Sequence, residues 1–168
     1  MNTVEVSQST NDNYYYDDLC SLIEKFPQFV NSINESYLKL LSHLTESPPL
    51  ENDVFLQQIN KIYNNNSKIF IKYFNIPSNE NFTIIGSVTC FLEPKIIRNA
   101  RFSAHIEDVV VHKDFRNKGI ANYLIKQAIE YANQNNCYKI ILDCDEKLIP
   151  FYNKFGFFEK GRYLTLYL

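Results

Sequence analysis

Two carboxylates, Glu107 and Asp108, stand side by side inside an otherwise apolar run, HIEDVVVH (105–112). If the run is a strand, they point to opposite faces. Leaving either ionised and buried without a partner costs several kcal/mol, so a polar cleft on at least one side, or a lysine or arginine from elsewhere, is expected. Just downstream lies RNKGIA (116–121), which carries Arg116, Lys118 and one of only 4 glycines. A glycine-bearing turn that opens a helix exposes unpaired N–H groups and positive partial charge, which suit a phosphate. A basic turn on a solvated face has the same composition, and the hexapeptide alone leaves the two readings even. It is neither a G-K-[ST] loop nor G-x-G-x-x-G. Asp143 closes a second apolar run, where open α/β sheets place ligands. Tyr152 shares a helical stripe with Leu148, Phe151 and Phe155, so its hydroxyl needs a partner that a core carbonyl could supply. His43, His105 and His112 form no triad or metal-ligand spacing and receive no role.

The elements that must hold these residues follow from hydrophobic period. Apolar spacing from Tyr14 to about Thr45 predicts two helices separated near Pro27. After the loop ESPPLEN, a third helix begins at DVFLQQINKIY with Asp53 as N-cap. The runs 68–74 and 82–92 predict a hairpin around the turn-rich NIPSNEN, and 103–112 a third strand. Ile120, Leu124, Ile125, Ala128, Ile129 and Ala132 form one helical stripe. Residues 138–144 read as a short strand covered on both faces, and LIPFYNKFG as a short helix with Pro150 in its first turn and Gly156 as its stop. FFEKGRYLTLYL reads as a final strand or hairpin. The order predicts a mixed α/β chain with a central, mostly antiparallel sheet flanked by helices.

Composition narrows the function. With 168 residues, 45% hydrophobic and 15% aromatic, the chain suits one core, and residues 14–168 read as one domain behind a disordered polar tail, 1–13. A net charge of -2 disfavours an extended nucleic-acid surface. Cys20, Cys90, Cys137 and Cys144 have no metal spacing and read as reduced thiols. With no signal-peptide pattern and no apolar run of membrane length, a soluble cytoplasmic protein with neither metal nor membrane partner is expected.

In its strand–turn–helix setting, Arg116-Asn117-Lys118-Gly119-Ile120-Ala121 resembles the [RQ]-x-x-G-x-[GA] motif of the GCN5-related N-acetyltransferases (GNAT). EPKIIRNARFSAHIEDVVV and CYKIILDCDEKLIPFYNKFGF resemble, more narrowly, the eukaryotic glucosamine-6-phosphate N-acetyltransferases, with the likeness running from about Phe82 to Phe157. The resemblance implies a GNAT fold and transfer of acetyl from acetyl-CoA to the amine of glucosamine 6-phosphate, in the biosynthesis of UDP-GlcNAc. It implies that Val109, Val110 and Val111 pair with the pantetheine arm, and that Arg116, Asn117, Lys118, Gly119, Ile120, Ala121 and Asn122 hold the pyrophosphate. Tyr152 would stabilise the leaving thiolate. Glu107, Asp108, Tyr138 and Lys139 would face the amino sugar, with Asp143 near the reacting centre and Glu107 or Asp143 taking the amine's proton. Thr45, Lys95 and Arg98 match substrate contacts, the latter two toward the sugar phosphate, and a homodimer is implied. The family's basic residue near the C-terminus is replaced here by Tyr167. The alternatives are a GNAT enzyme for another small amine and a non-catalytic acyl-CoA-binding module.

Overall fold

The computed structural model describes residues 14–76 and 81–168. The expected tail, 1–13, and the tip of the NIPSNEN turn, 77–80, lie outside them. In chain order the elements are β1 (Tyr14–Asp18), α1 (Leu19–Lys25), α2 (Val30–Leu41), α3 (Asn52–Asn64), β2 (Lys68–Ile76) and β3 (Asn81–Pro94). A short turn, α4 (Ile97–Ala100), then leads to β4 (Phe102–Val111), α5 (Ile120–Gln134), β5 (Lys139–Leu142) and α6 (Ile149–Asn153). The five strands lie in the order β1-β2-β3-β4-β5, with β1 to β4 antiparallel neighbours and β5 parallel to β4.

Two helical layers cover the sheet. Leu19, Leu22, Ile33, Leu40, Phe55 and Ile59 from α1, α2 and α3 pack on Ile69, Ile71, Phe82 and Ile84. On the other face Ile120, Leu124, Ile125, Ala128 and Ala132 of α5, with Tyr152 of α6, pack on Ile85, Val88, Cys90, Ala104 and Ile106. Truncating a fully buried member such as Leu124 or Ile125 to alanine would cost about 2–5 kcal/mol. Gly86 allows α5 to seat closely, because a Cβ there would stand 2.7 Å from Ile120 Cγ2.

Two β-bulges control which face each side chain takes. On β3 the register shifts opposite Lys72/Tyr73, so Phe82 and Ile84 face α2 while Ile85, Val88 and Cys90 face α5. On β4 the register shifts opposite Ser87/Thr89: Ser87 pairs with Val110 and Thr89 with Glu107. Asp108 and Val109 therefore share one partner position, and Asp108 has φ +52°. One inserted residue flips every later side chain, so Ala104 and Ile106 face α5 but Val110 faces α2.

Four expectations need correction. Tyr14–Asp18 is a strand paired with Phe70–Phe74, not the start of a helix. Its aromatic residues favour an extended chain, and Asp18 caps α1 by accepting from the Ser21 N–H at 2.9 Å. α3 is preceded by Glu51 at the cap position, with Asp53 inside its first turn. The closing segment 157–168 forms no strand, and β5 is only half covered rather than buried on both faces.

Candidate active site

The site lies where β4 and β5 part. Their pairing runs from Ser103 opposite Lys139 to Ile106 opposite Leu142 and then stops, while β4 continues to Val111. Glu107 projects from β4 at the mouth of this fork, and Asp143 follows the last residue of β5. The fork brings Glu107 and Asp143 together around His105, which the sequence alone gives no role. His105 Nε2 stands 3.0 Å from Glu107 Oε1 and 3.7 Å from Asp143 Oδ2, and its Nδ1 stands 3.6 Å from Glu93 Oε1. The signal for His105 was present: it lies two residues before Glu107, on the same face of the strand. Neither acid of the pair meets a lysine or arginine among the described residues; Glu107 meets His105, and Asp108 accepts from Thr89 Oγ1 at 3.4 Å. Partial burial raises the Glu107 carboxyl above its usual range, against a smaller opposing effect of His105. Partial burial raises Asp108 as well. Donor atoms of His105, Glu107 and Asp143 all lie within 4.8 Å of one another, a spacing that could hold a cation, although exposed acidic groups often share it without one.

Tyr152 is 6% exposed, in contact with both α5 and the sheet, and sits near Cys144, the residue after Asp143. Its hydroxyl takes no hydrogen bond from any described residue, so the expected core carbonyl does not satisfy it. Burial, with a smaller effect of Cys144, pushes its pKa up to about 12. The hydroxyl is therefore protonated at neutral pH and free to donate.

At the other end of β4, a 3-10 turn (Lys113–Phe115) leads through Arg116 and Asn117 to Gly119, which caps α5 at φ +76° with no side-chain cap. Asn117 also has positive φ, +61°. Ile120 is buried beneath Gly86, so only its backbone can face a ligand. Val110 likewise turns its side chain into the core. The N–H groups of Ile120, Ala121 and Asn122 open this 15-residue helix. A Cβ built on Gly119 would meet nothing within 4 Å, which leaves room for close approach. Arg116 and Lys118 are exposed; Arg116 Nε donates to the Val111 carbonyl at 3.2 Å, tying the turn to the strand. These residues fit a pyrophosphate. Thr45 is exposed two residues after His43, whose ring packs on His112 at 4.8 Å, so the end of α2 reaches the same region.

The basic residues gather on the far side of the fork. The Arg98 guanidinium lies 5.9 Å and Lys139 Nζ 5.7 Å from the centre of the Tyr138 ring. Lys95 pairs with Glu93 at 2.6 Å, next to His105. The α4 turn is left-handed at Arg98, Asn99 and Ala100, with φ 58°, 58° and 56°, an uncommon run for residues other than glycine.

A fork of two strands, a bulge beside it and an uncapped helix behind a glycine turn agree with the acetyltransferase class that the sequence resembles. The "Acetyltransferase (GNAT) family" model matches residues 28–157, and the chain belongs to that family. It is 38% identical over 131 residues to the glucosamine 6-phosphate N-acetyltransferase of Trypanosoma brucei brucei, covering 78% of this chain and 86% of that protein. It is 34% identical over 143 residues to glucosamine 6-phosphate N-acetyltransferase 1 of Dictyostelium discoideum, covering 84% of this chain and 88% of that protein. A crystal structure of a Trypanosoma brucei acetyltransferase superposes with a TM-score of 0.77 at 32% identity, covering 93% of this chain and all of that one. The expected fold is thereby borne out. No helix among the described residues is long and apolar enough to cross a membrane.

Proposed function

We propose that this chain transfers the acetyl group of acetyl-CoA to the amine of glucosamine 6-phosphate, releasing CoA and N-acetylglucosamine 6-phosphate. The observation that carries the reading is the fork itself. It sets acids where an amine must lose a proton, and it lies between a basic cluster suited to a sugar phosphate and a turn suited to a pyrophosphate. The named relatives point to the same substrate.

The α5 turn would hold the pyrophosphate through backbone N–H groups, with Arg116 and Lys118 adding charge. The arm would run beside Val109–Val111. There the bulge leaves one backbone group out of the ladder, available to polarise the thioester carbonyl. The amine attacks the carbonyl carbon directly, a C–N bond forms and the C–S bond breaks. Tyr152 gives its proton to the departing sulfur, an interaction made only as charge develops there. Asp108 and Asp143 orient the sugar, and Lys95, Arg98 and Lys139 meet its phosphate, with Tyr138 as the platform between them.

The chain works as a homodimer in this reading. Leu164, Leu166 and Tyr167 are 89%, 84% and 92% exposed in a segment whose sequence suits a strand, and β5 is an edge strand with a half-open face. Ile96 and Ile97 beside Arg98 are exposed too. Light scattering of the full chain against one ending at residue 158 checks the dimer; equal masses would remove it.

Release of CoA thiol with glucosamine 6-phosphate, glucosamine, spermidine and a peptide amine tests the substrate. Preference for the phosphorylated sugar supports the proposal. Preference for spermidine or the peptide would make this an acetyltransferase of another amine, and release with none would indicate an acyl-CoA-binding module.

A further inference from the structure

No step above uses His105, yet its two ring nitrogens face different places. Nε2 points into the reactive fork, 3.0 Å from Glu107 and 3.7 Å from Asp143. That nitrogen is shut off from water and makes no properly aligned hydrogen bond, despite its nearness to Glu107. Nδ1 faces Glu93, 3.6 Å away, on the opposite side. Behind it an open cavity of about 670 Å³ is lined by His105, Glu93, Phe102 and the turn Asn64–Asn66. The imidazole thus connects the fork, through Nε2, with the residues that line the cavity.

We infer that His105 is a proton-relaying residue, which takes the substrate amine's proton from Glu107 and passes it to solvent in the cavity. The inference rests on the reading that an amine is acetylated at the fork. The amine enters as an ammonium. Its first proton moves to the Glu107 carboxylate, and the resulting acid hands it to Nε2 of His105, restoring Glu107. Nδ1 releases a proton to cavity solvent, and exchange there returns the ring to its starting tautomer. The freed lone pair on nitrogen then attacks the thioester. The second proton lost by nitrogen replaces the one Tyr152 gives to sulfur, so ammonium and thioester become amide, thiol and one released proton.

The charged groups around His105 suit an imidazolium in passing. Glu93 comes from β3, Glu107 from β4 and Asp143 from the end of β5, three carboxylates against one ring. Among the described residues Lys95 is the cation paired with this cluster; it hydrogen-bonds to Glu93 and holds that carboxyl below its usual range, so Glu93 stays an anion beside Nδ1. The Asn64–Asn66 side of the cavity carries no charge.

The test uses the full chain and compares wild type, His105→Gln and His105→Ala. Wild type is first assayed on the four amines named above, and the variants on whichever amine it acetylates. Failure with glucosamine 6-phosphate alone therefore sinks the substrate reading and not the relay, while failure with all four sinks both. For His105→Gln, kcat should fall about 100-fold, the low end of what proton-transfer groups contribute, with KM for acetyl-CoA within about twofold. The acid limb of its kcat–pH profile should lose one ionisation. Added imidazole should restore at least a third of the lost kcat in His105→Ala, entering by the open cavity. A wild-type kcat in His105→Gln overturns the relay. So does a reduced kcat whose pH profile keeps its wild-type shape and which imidazole does not raise, because a purely structural role would behave that way. Should His105→Ala fail to fold by circular dichroism, the His105→Gln profile decides.

Discussion

The turn before α5 and the fork between β4 and β5 sit at opposite ends of the valine run, and they are made from different parts of the chain. The turn is built from backbone: N–H groups at an uncapped helix start, made accessible by Gly119 at φ +76° and Asn117 at φ +61°. Its most buried member, Ile120, gives its side chain to the core and, in the proposed reading, only its peptide to a ligand. The fork is built from side chains, three acids and a histidine whose distances depend on two strands parting after Leu142. A backbone site depends on conformation and tolerates changes of side chain. A side-chain site depends on identity and tolerates few. Substitutions at the turn should therefore act on KM for acetyl-CoA, and substitutions in the fork on kcat.

The largest separation is expected at Glu107. Glu107→Gln should lower kcat about 100- to 1000-fold, as removal of a proton-transfer group does. In wild type, Glu107 must be ionised to accept a proton, so kcat falls as pH falls through its raised pKa. Its contribution to the acid limb should then lie above the ordinary value of 4.5, and a limb at or below that value would break the assignment. Next comes Tyr152→Phe, which should lower kcat about 10- to 100-fold and leave KM for acetyl-CoA within about twofold, because the hydroxyl acts on developing charge. An unchanged kcat removes Tyr152 from the chemistry. Replacing both Lys95 and Arg98 with alanine should raise KM for glucosamine 6-phosphate about tenfold and leave glucosamine unaffected. Equal effects on the two sugars would move the phosphate elsewhere. At the turn, Gly119→Val forces a β-branched residue into left-handed backbone, at a cost of about 1–2 kcal/mol, and should raise KM for acetyl-CoA about tenfold. The smallest effect belongs to Arg116→Gln, about two- to threefold in the same KM and shrinking with added salt, since the side chain is exposed. A larger effect from Arg116 than from Gly119 would reverse the comparison between the turn's side chains and its backbone.

The same division explains what was legible in the sequence. The turn was legible because glycine and flanking charges at a strand–helix junction are local features, and the α5 stripe that follows was read residue for residue. Glu107 and Asp143 stood out as carboxylates in or beside apolar strands, a pattern that needs a cleft. His105 was missed because its partners come from three separate segments, although its period-two relation to Glu107 was on view. The bulge at Asp108 has no marker in HIEDVVVH; it is visible only in the pairing with Ser87 and Thr89. β1 was misread because Tyr14–Asp18 has no clean alternation, and pairing with β2 decides its form. The closing segment has a strand's composition, but among the described residues no neighbouring strand pairs with it.

The division between grip and chemistry is tested most directly by calorimetric titration of acetyl-CoA into the Glu107→Gln protein. A Kd within about twofold of wild type, in a protein whose kcat has fallen at least 100-fold, is the result predicted here. A Kd weakened tenfold or more would mean that the fork helps to hold the cofactor, and would contradict the account.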